Sequence, residues 1–234
     1  PMLARADRLI GVSRFETEFF QRRLRLPVER FATVTNGVSS EFLAADSERH
    51  QEQTVICSVG RLERYKGHHR VIAALPVVRR RIPDVRLRIV GDGPYKAELQ
   101  ALAVRLGVDD IVEFIRIEPG HRREMAELFR SAHLVTLLSD YESQGVVGLE
   151  AIAAGRPLLV ADGTALAELG RYGAVSVVPP HADSGSLGWL IARTVREDQS
   201  PSRDEVPVWE DTVDALVEVY DDVVRRRGEA MAAR

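Results

Sequence analysis

From Thr54 onward, six short runs rich in β-branched and apolar residues alternate with six segments of helical spacing. No other feature of the chain constrains its fold as much. The runs are TVICSV (54–59), VRLRIV (85–90), IVEFI (111–115), HLVTLL (133–138), PLLVA (157–161) and AVSVV (174–178). Helical spacing follows each of them, over 69–81, 95–106, 122–132, 146–154, 165–171 and 186–196. Near-continuous apolar strands imply burial on both faces, and strand–helix alternation implies parallel pairing. The expected fold class is therefore α/β, a doubly wound parallel sheet. Gly107, Gly155 and Gly170 fall where helix C-terminal glycines are expected, and Pro76 predicts a kink or a boundary within 69–81.

The flanks differ from this central unit. Residues 1–36 supply one more strand, RLIGVS, a helix, RFETEFFQRRLR, and a segment ending at the turn signal Asn36-Gly37. Residues 197–206 read as a polar linker, and 208–227 as a final helix with apolar residues at Trp209, Val213, Leu216, Val217 and Tyr220. Three regions are expected: 1–36 as a remnant of an earlier domain plus a linker, 37–200 as the central α/β domain, and 201–234 as linker and closing helix. Pro1 precedes the first methionine, which suggests a piece of something longer or a processed product. The strand RLIGVS, lacking its sheet, is expected to be poorly ordered or to pack as an added edge.

Composition narrows the function classes. A formal net charge of -3 gives no field to recruit nucleic acid or an anionic membrane. Cys57 is the only cysteine, which excludes a disulfide framework or a cysteine metal cluster. The apolar runs are far shorter than a bilayer span, so a soluble cytoplasmic protein is the expectation. Of 32 basic residues only Lys66 and Lys96 are lysines, which draws attention to each.

In a doubly wound sheet, ligands bind at the carboxyl ends of the strands. Three loops there are chemically distinctive: GRLERYKG (60–67), GDGP (91–94) and SDYESQG (139–145). All three are expected on one rim. In the first, Gly60 allows close backbone approach, while Arg61 and Lys66 bring two cations to the start of a helix, a pairing suited to a diphosphate. Single charges are more often simply solvated, as His68 and His69 beyond the loop are expected to be. GDGP alone signals only a tight turn. In the third loop, Glu142 and Glu150 stand eight residues apart around Gly145. A helix beginning near Val146 leaves the amides of Gly145, Val146 and Val147 available to an anion. Glu150, one turn into that helix, is expected to project over the rim. Carboxylates suit vicinal hydroxyls, so the pair is expected to grip a sugar and a ribose with a diphosphate between them.

In that order, GRLERYKG, VGDGP, VEFI and YESQGVVGLEA with its E-x7-E spacing resemble the donor domain of retaining GT-B glycosyltransferases, glycosyltransferase family 4. The resemblance runs from about Asn36 to the end. It implies a Rossmann-like donor domain, the C-terminal half of a two-domain architecture. The segment before Asn36 resembles the last strand and helix of the family's N-terminal domain. The final helix resembles one that crosses back to brace that domain. Carried over, the resemblance has Arg61 and Lys66 bind the pyrophosphate and stabilise the leaving nucleotide, with Gly60 beside them. Glu142 contacts the transferred sugar, with Gln144 and Gly145 adjacent. The amides of Val146 and Val147 support the phosphates, Glu150 holds the ribose, and Phe114, Ile115 and Arg116 lie beside the nucleobase. It implies a nucleoside-diphosphate sugar, with UDP or GDP as carrier, and no tightly bound cofactor or metal. Gln144, Leu138 and Arg116 depart from residues common in the family at those places.

The implied partners are the donor, an unidentified acceptor and the missing N-terminal domain, on the same or a separate chain; contact with the inner membrane face would run through that domain. An alternative from another class is a non-catalytic nucleotide-sugar-binding module or partner subunit. A nucleotide-sugar epimerase lacks support in any acid–base set, and a glycosidase dyad leaves the basic loop unexplained.

Overall fold

A computed structural model describes residues 3–43 and 53–232. Its centre is a six-stranded sheet built from β3 (Thr54–Val59), β4 (Val85–Val90), β5 (Val112–Ile115), β6 (Leu134–Leu137), β7 (Leu158–Ala161) and β8 (Val175–Val178). All pairings are parallel, in the order β5-β4-β3-β6-β7-β8. The strand order therefore reverses between β3 and β6. At such a reversal the crossover helices leave on opposite faces and a crevice opens above the strand ends.

The helices that close the faces are α2 (His68–Arg81), α3 (Lys96–Leu106), α4 (Arg122–Ser131), α5 (Val146–Ala153) and α6 (Ser184–Glu197). One core joins α2, α3 and α6 to the sheet through Val71, Leu75, Leu99, Leu187 and Ile191. The other joins α4 and α5 through Ala126, Phe129, Leu149 and Ile152. Strand side chains alternate between the two, with Ile56 in the first core and Val55 and Cys57 in the second. This is the doubly wound α/β fold expected from the sequence.

Local signals hold with a few corrections. Gly107 ends α3 in a left-handed conformation. Helix α2 runs unbroken through Pro76, which stands well inside it, so the expected boundary does not fall there. The segment expected as a helix over 165–171 is a 3-10 turn, Ala165–Tyr172, started by Thr164, whose hydroxyl accepts from the Leu166 amide. It is closed by Gly173, with φ 70°, rather than by Gly170.

The N-terminal segment is ordered differently from expectation. Strand β1 (Leu9–Gly11) is not an edge of the large sheet. It pairs in parallel with β2 (Phe31–Thr33), with α1 (Arg14–Leu24) as the crossover. The helix makes this possible: Ser13 caps it through the Glu16 amide, and the Thr17 hydroxyl bonds that of Thr33 at 2.8 Å. A parallel βαβ unit supplies its own partner strand, so β1 need not borrow the edge of the larger sheet.

The closing helix α7 (Trp209–Ala232) lies against this unit. Arg8 pairs with Asp222, and Arg227 with Asp7. Where the chain leaves the βαβ unit it meets the chain entering α7: the Val38 amide donates to the Pro207 carbonyl at 2.8 Å, and Val38 bridges Val208 in parallel. Trp209, Val213, Val217, Tyr220 and Val224 remain exposed along α7.

Candidate functional site at the strand-order reversal

The loops after β3 and β6 stand on either side of the reversal and are fastened to each other. The Asp140 amide donates to the Tyr65 carbonyl at 2.7 Å. Gly67, with φ 76°, lies so close to the Leu138 carbonyl that a Cβ there would sit 2.1 Å from its oxygen. Only glycine permits both that backbone conformation and that approach. The loop after β4 joins them, because the Leu62 amide donates to the Asp92 carbonyl at 2.9 Å and the Tyr95 amide to the Leu62 carbonyl. All three loops expected on one rim are there.

At the centre, Lys66 Nζ lies 2.5 Å from Glu142 Oε1. The Ser139 hydroxyl donates to the same carboxylate oxygen at 3.0 Å. The Lys66 ammonium also stands 5.3 Å from the centroid of the Tyr65 ring. Both members of the ion pair are only about a fifth exposed, so their attraction is less screened than that of a surface pair. The structure thus joins the basic loop to the first acid of the pair, 76 residues apart in sequence. Arg61 sits in the same loop but faces outward, 70% exposed, bonded to Glu63 at 2.8 Å and to the Tyr65 hydroxyl at 2.6 Å.

Glu150 corrects the expectation that it projects over the rim. Nearly all of α5 is buried, so its fifth residue lies beneath the surface. There Arg122 reaches it from the first turn of α4, with Nη1 2.7 Å from Oε1. Burial pushes the Glu150 carboxyl up to about 7, against the lowering effect of Arg122. Glu142 and Glu150 therefore occupy distinct settings, one on a lysine and one under an arginine.

Gln144 is also placed differently from a residue open to a ligand. Its Oε1 accepts from the Asn36 backbone amide at 3.2 Å and from Asn36 Nδ2 at 2.5 Å, and its Nε2 donates to the Asn36 carbonyl at 2.9 Å. It is a strut between the β6 loop and the connecting segment. Gly145 caps α5 with φ 81°, so the Val146 and Val147 amides open the helix ahead of its first i→i−4 bond, that of Leu149. Gly60 leaves β3 at φ 147° beside the Lys66 side chain.

Of the three residues expected near a base, Phe114 packs into the α2–α3 core, with the Lys96 ammonium 6.0 Å from its ring centroid. Ile115 packs into the opposite core, and its carbonyl accepts from the Gly91 amide. Arg116 alone is exposed, on Asp92 and Glu118, each at 2.8 Å.

His68 overturns its expected solvation. It is 1% exposed, shares a 2.8 Å bond between Nδ1 and the Ser58 hydroxyl, and has Nε2 3.2 Å from the Arg61 carbonyl. Ser139, Arg122, Ser58 and Asn36 complete this region; the sequence singled out none of them except Asn36, and that only as a turn signal. Ser139 had a usable signal, since it is the first polar residue beyond an apolar strand.

A six-stranded parallel sheet with helices on both faces, and a lysine–glutamate pair where its strand order reverses, defines a doubly wound α/β protein. The chain belongs to the family described as Glycosyl transferases group 1, whose model matches residues 39–205. It is 31% identical over 218 residues to a D-inositol 3-phosphate glycosyltransferase of Corynebacterium urealyticum, covering 82% of this chain and 51% of that one. It is 40% identical over 173 residues to a GDP-mannose-dependent alpha-(1-6)-phosphatidylinositol monomannoside mannosyltransferase of Mycolicibacterium smegmatis, covering 66% and 44%. The chain thus spans about half the length of these relatives. Among solved structures, a glycosyltransferase from Rickettsia africae superimposes with a TM-score of 0.80 at 14% identity, over 94% of this chain and 64% of that one. Anabaena HepE, solved with UDP-glucose, gives 0.69 at 21% identity, over 95% and 64%. These structures share the fold, a parallel α/β unit of GT-B glycosyltransferases. Among the described residues, no helix is long and apolar enough to cross a membrane.

Proposed function

We propose that this chain is the donor-binding, C-terminal half of a retaining glycosyltransferase of family 4, which transfers a sugar from a nucleoside-diphosphate sugar to an acceptor. The observation that carries this reading is the Lys66–Glu142 pair at the reversal point of the sheet. A cation is needed where the departing diphosphate gathers charge, and a carboxylate where sugar hydroxyls are held. Lys66 meets the first need and Glu142 the second, and their ion pair holds the two side chains side by side. Arg61 turns from Glu63 to the diphosphate, a motion open to an exposed side chain. The helix-start amides of Val146 and Val147 add fixed positive potential for the phosphates. Glu150 accepts the ribose hydroxyls once Arg122, the half-exposed side chain that covers it, swings aside.

Residues 3–33 and α7 fit a boundary with an N-terminal, acceptor-binding domain, because the small sheet and the apolar side of α7 are both left uncovered. A relative described as GDP-mannose-dependent and a fold neighbour solved with UDP-glucose favour GDP or UDP as the carrier. Polysaccharide, glycolipid or glycoconjugate synthesis is the setting such donors serve.

Calorimetric titration with UDP, GDP and ADP, with and without a chelator, tests this. Binding of one nucleotide, insensitive to the chelator and weakened by Lys66→Ala and Glu150→Ala, is the expected result. Binding that Lys66→Ala leaves unchanged would remove the site from the β3 loop.

A further inference from the structure

Between Ser58 and Arg61 the chain leaves β3 and enters the loop that carries the basic pair, and His68 bonds to both of these residues. The carbonyl of Arg61 can only accept, so Nε2 of His68 carries the proton. Nδ1 is then bare and accepts from the Ser58 hydroxyl. That assignment gives one neutral tautomer with both ring nitrogens satisfied in a site with almost no solvent contact. Protonation would put a second cation beside Lys66 and strip Nδ1 of its acceptor role. Burial accordingly holds the imidazole well below its usual range, at about 4.

The consequence is mechanical. His68 is the first residue of α2, and Gly67 and Lys66 immediately precede it. The imidazole spans from the end of β3 to the carbonyl of Arg61 and back to the start of α2. It therefore closes residues 58–68 into a ring whose outer arc bears Arg61 and Lys66. We infer that His68, through its Ser58–His68–Arg61 hydrogen-bond chain, is the positioning residue that sets the basic loop at the spacing the second phosphate of the donor's diphosphate requires. This rests on the donor-site reading above and deepens it, since it ties recognition of the second phosphate to a group that never touches the ligand.

A residue that only filled the core would affect all nucleotides equally. A residue that positions the basic loop should affect diphosphate more than monophosphate. The test is titration of the full chain with the nucleoside diphosphate that binds best and with its monophosphate. His68→Leu, His68→Gln and Ser58→Ala are compared with the wild type, and Lys66→Ala serves as reference. His68→Leu is expected to weaken diphosphate binding roughly tenfold, about the worth of one lost hydrogen bond, and to leave monophosphate within about twofold. His68→Gln, which keeps a donor for the Arg61 carbonyl, should recover most of the loss. Should His68→Leu fail to fold, the selective loss must appear in Ser58→Ala, which unpairs Nδ1 alone. Equal loss for both nucleotides, or none in a folded His68→Leu, overturns the inference while Lys66→Ala still weakens binding. A wild-type chain that binds no diphosphate overturns the donor-site reading and this one with it.

Discussion

Lys66 and Glu142 approach to 2.5 Å across the point where the strand order reverses, although 76 residues separate them in sequence. Each member is the other's counter-ion, and on the proposed function Lys66 takes the donor's diphosphate and Glu142 its sugar. On the proposed function, Lys66→Ala is expected to lower steady-state turnover of the intact, two-domain enzyme by about 10²–10³, the usual loss for a group stabilising developing charge. Glu142→Gln should cost less with the natural donor. Because each single change also strips the partner of its counter-ion, the double variant should fall short of the sum of the two. Additive losses in that cycle would mean that the contact has no part in turnover.

Glu150 carries a second prediction. Burial pushes its carboxyl up to about 7, against the lowering effect of Arg122. As an ionised acceptor it should bind ribose hydroxyls better, so donor affinity should tighten as pH rises from 6 to 8. A free nucleoside diphosphate is a poor probe, because its terminal phosphate itself titrates near pH ~6. A nucleoside-diphosphate sugar has no such group and isolates the protein. Arg122→Met should move the transition to higher pH, and Glu150→Gln should abolish it. A pH-independent affinity in the wild type would argue against Glu150 as the ribose acceptor.

The strands were legible because runs such as TVICSV and VRLRIV are β-rich and end at glycine, and both cues are local. The convergence of the three loops followed from chain direction alone, since every parallel strand delivers its following loop to one rim. Partners brought together by the tertiary fold were not legible. Nothing near Arg122 marks it as the residue that covers Glu150, 28 positions away. Nothing near Asn36 marks the clasp of Gln144, 108 positions away. His68 misled because it stands between Lys66 and Arg70 in a polar stretch, whereas the left-handed turn at Gly67 swings it inward under the loop. The βαβ unit was read as an orphan strand because β2, only three residues long, lay inside what looked like linker.

Gly67 supports a prediction about stability. A methyl group there would meet the Leu138 carbonyl oxygen at 2.1 Å, in a backbone conformation that disfavours any Cβ. The neighbour is backbone of the buried strand end and cannot move aside cheaply. Gly67→Ala should cost more than about 2 kcal/mol in denaturant unfolding. It should also separate Lys66 from Glu142. A variant as stable as the wild type would show that the two loops are not packed at this point.

Asp222 accepts from Arg8, Arg225 and Arg226, and these bonds hold its carboxyl well below the usual carboxylate range. Arg8 belongs to the N-terminal βαβ unit and Asp222 to α7, so this contact helps fasten the two. Asp222→Ala should raise amide exchange in α1 and β1 while leaving the six-stranded sheet unchanged. Because the groups lie near solvent, the difference between variant and wild type should shrink as salt rises. Faster exchange spread evenly over the large sheet would show that Asp222 acts on the whole fold instead.

His68 and Glu150 should bend the pH dependence of stability in opposite directions. His68 has its folded value depressed to about 4 from 6.5. Its neutral, buried form favours folding fully above pH 6.5. That advantage is lost as pH falls toward 4, because the unfolded chain takes up a proton that the folded one refuses. Glu150 has its folded value raised to about 7 from 4.5. Its protonated form favours folding fully below pH 4.5, and that advantage is lost as pH rises to 7. Each shift corresponds to roughly 3 kcal/mol at its limit, so over pH 4.5–6.5 the two largely cancel in the wild type. Single variants should expose the slopes. In Glu150→Gln, stability should fall on acidification through this window because His68 acts alone. In His68→Leu it should rise on acidification, whatever the change in absolute stability. Urea unfolding at pH 4.5, 5.5 and 6.5 reads both, and slopes of the same sign would mean that one of the two groups is not buried in the charge state described.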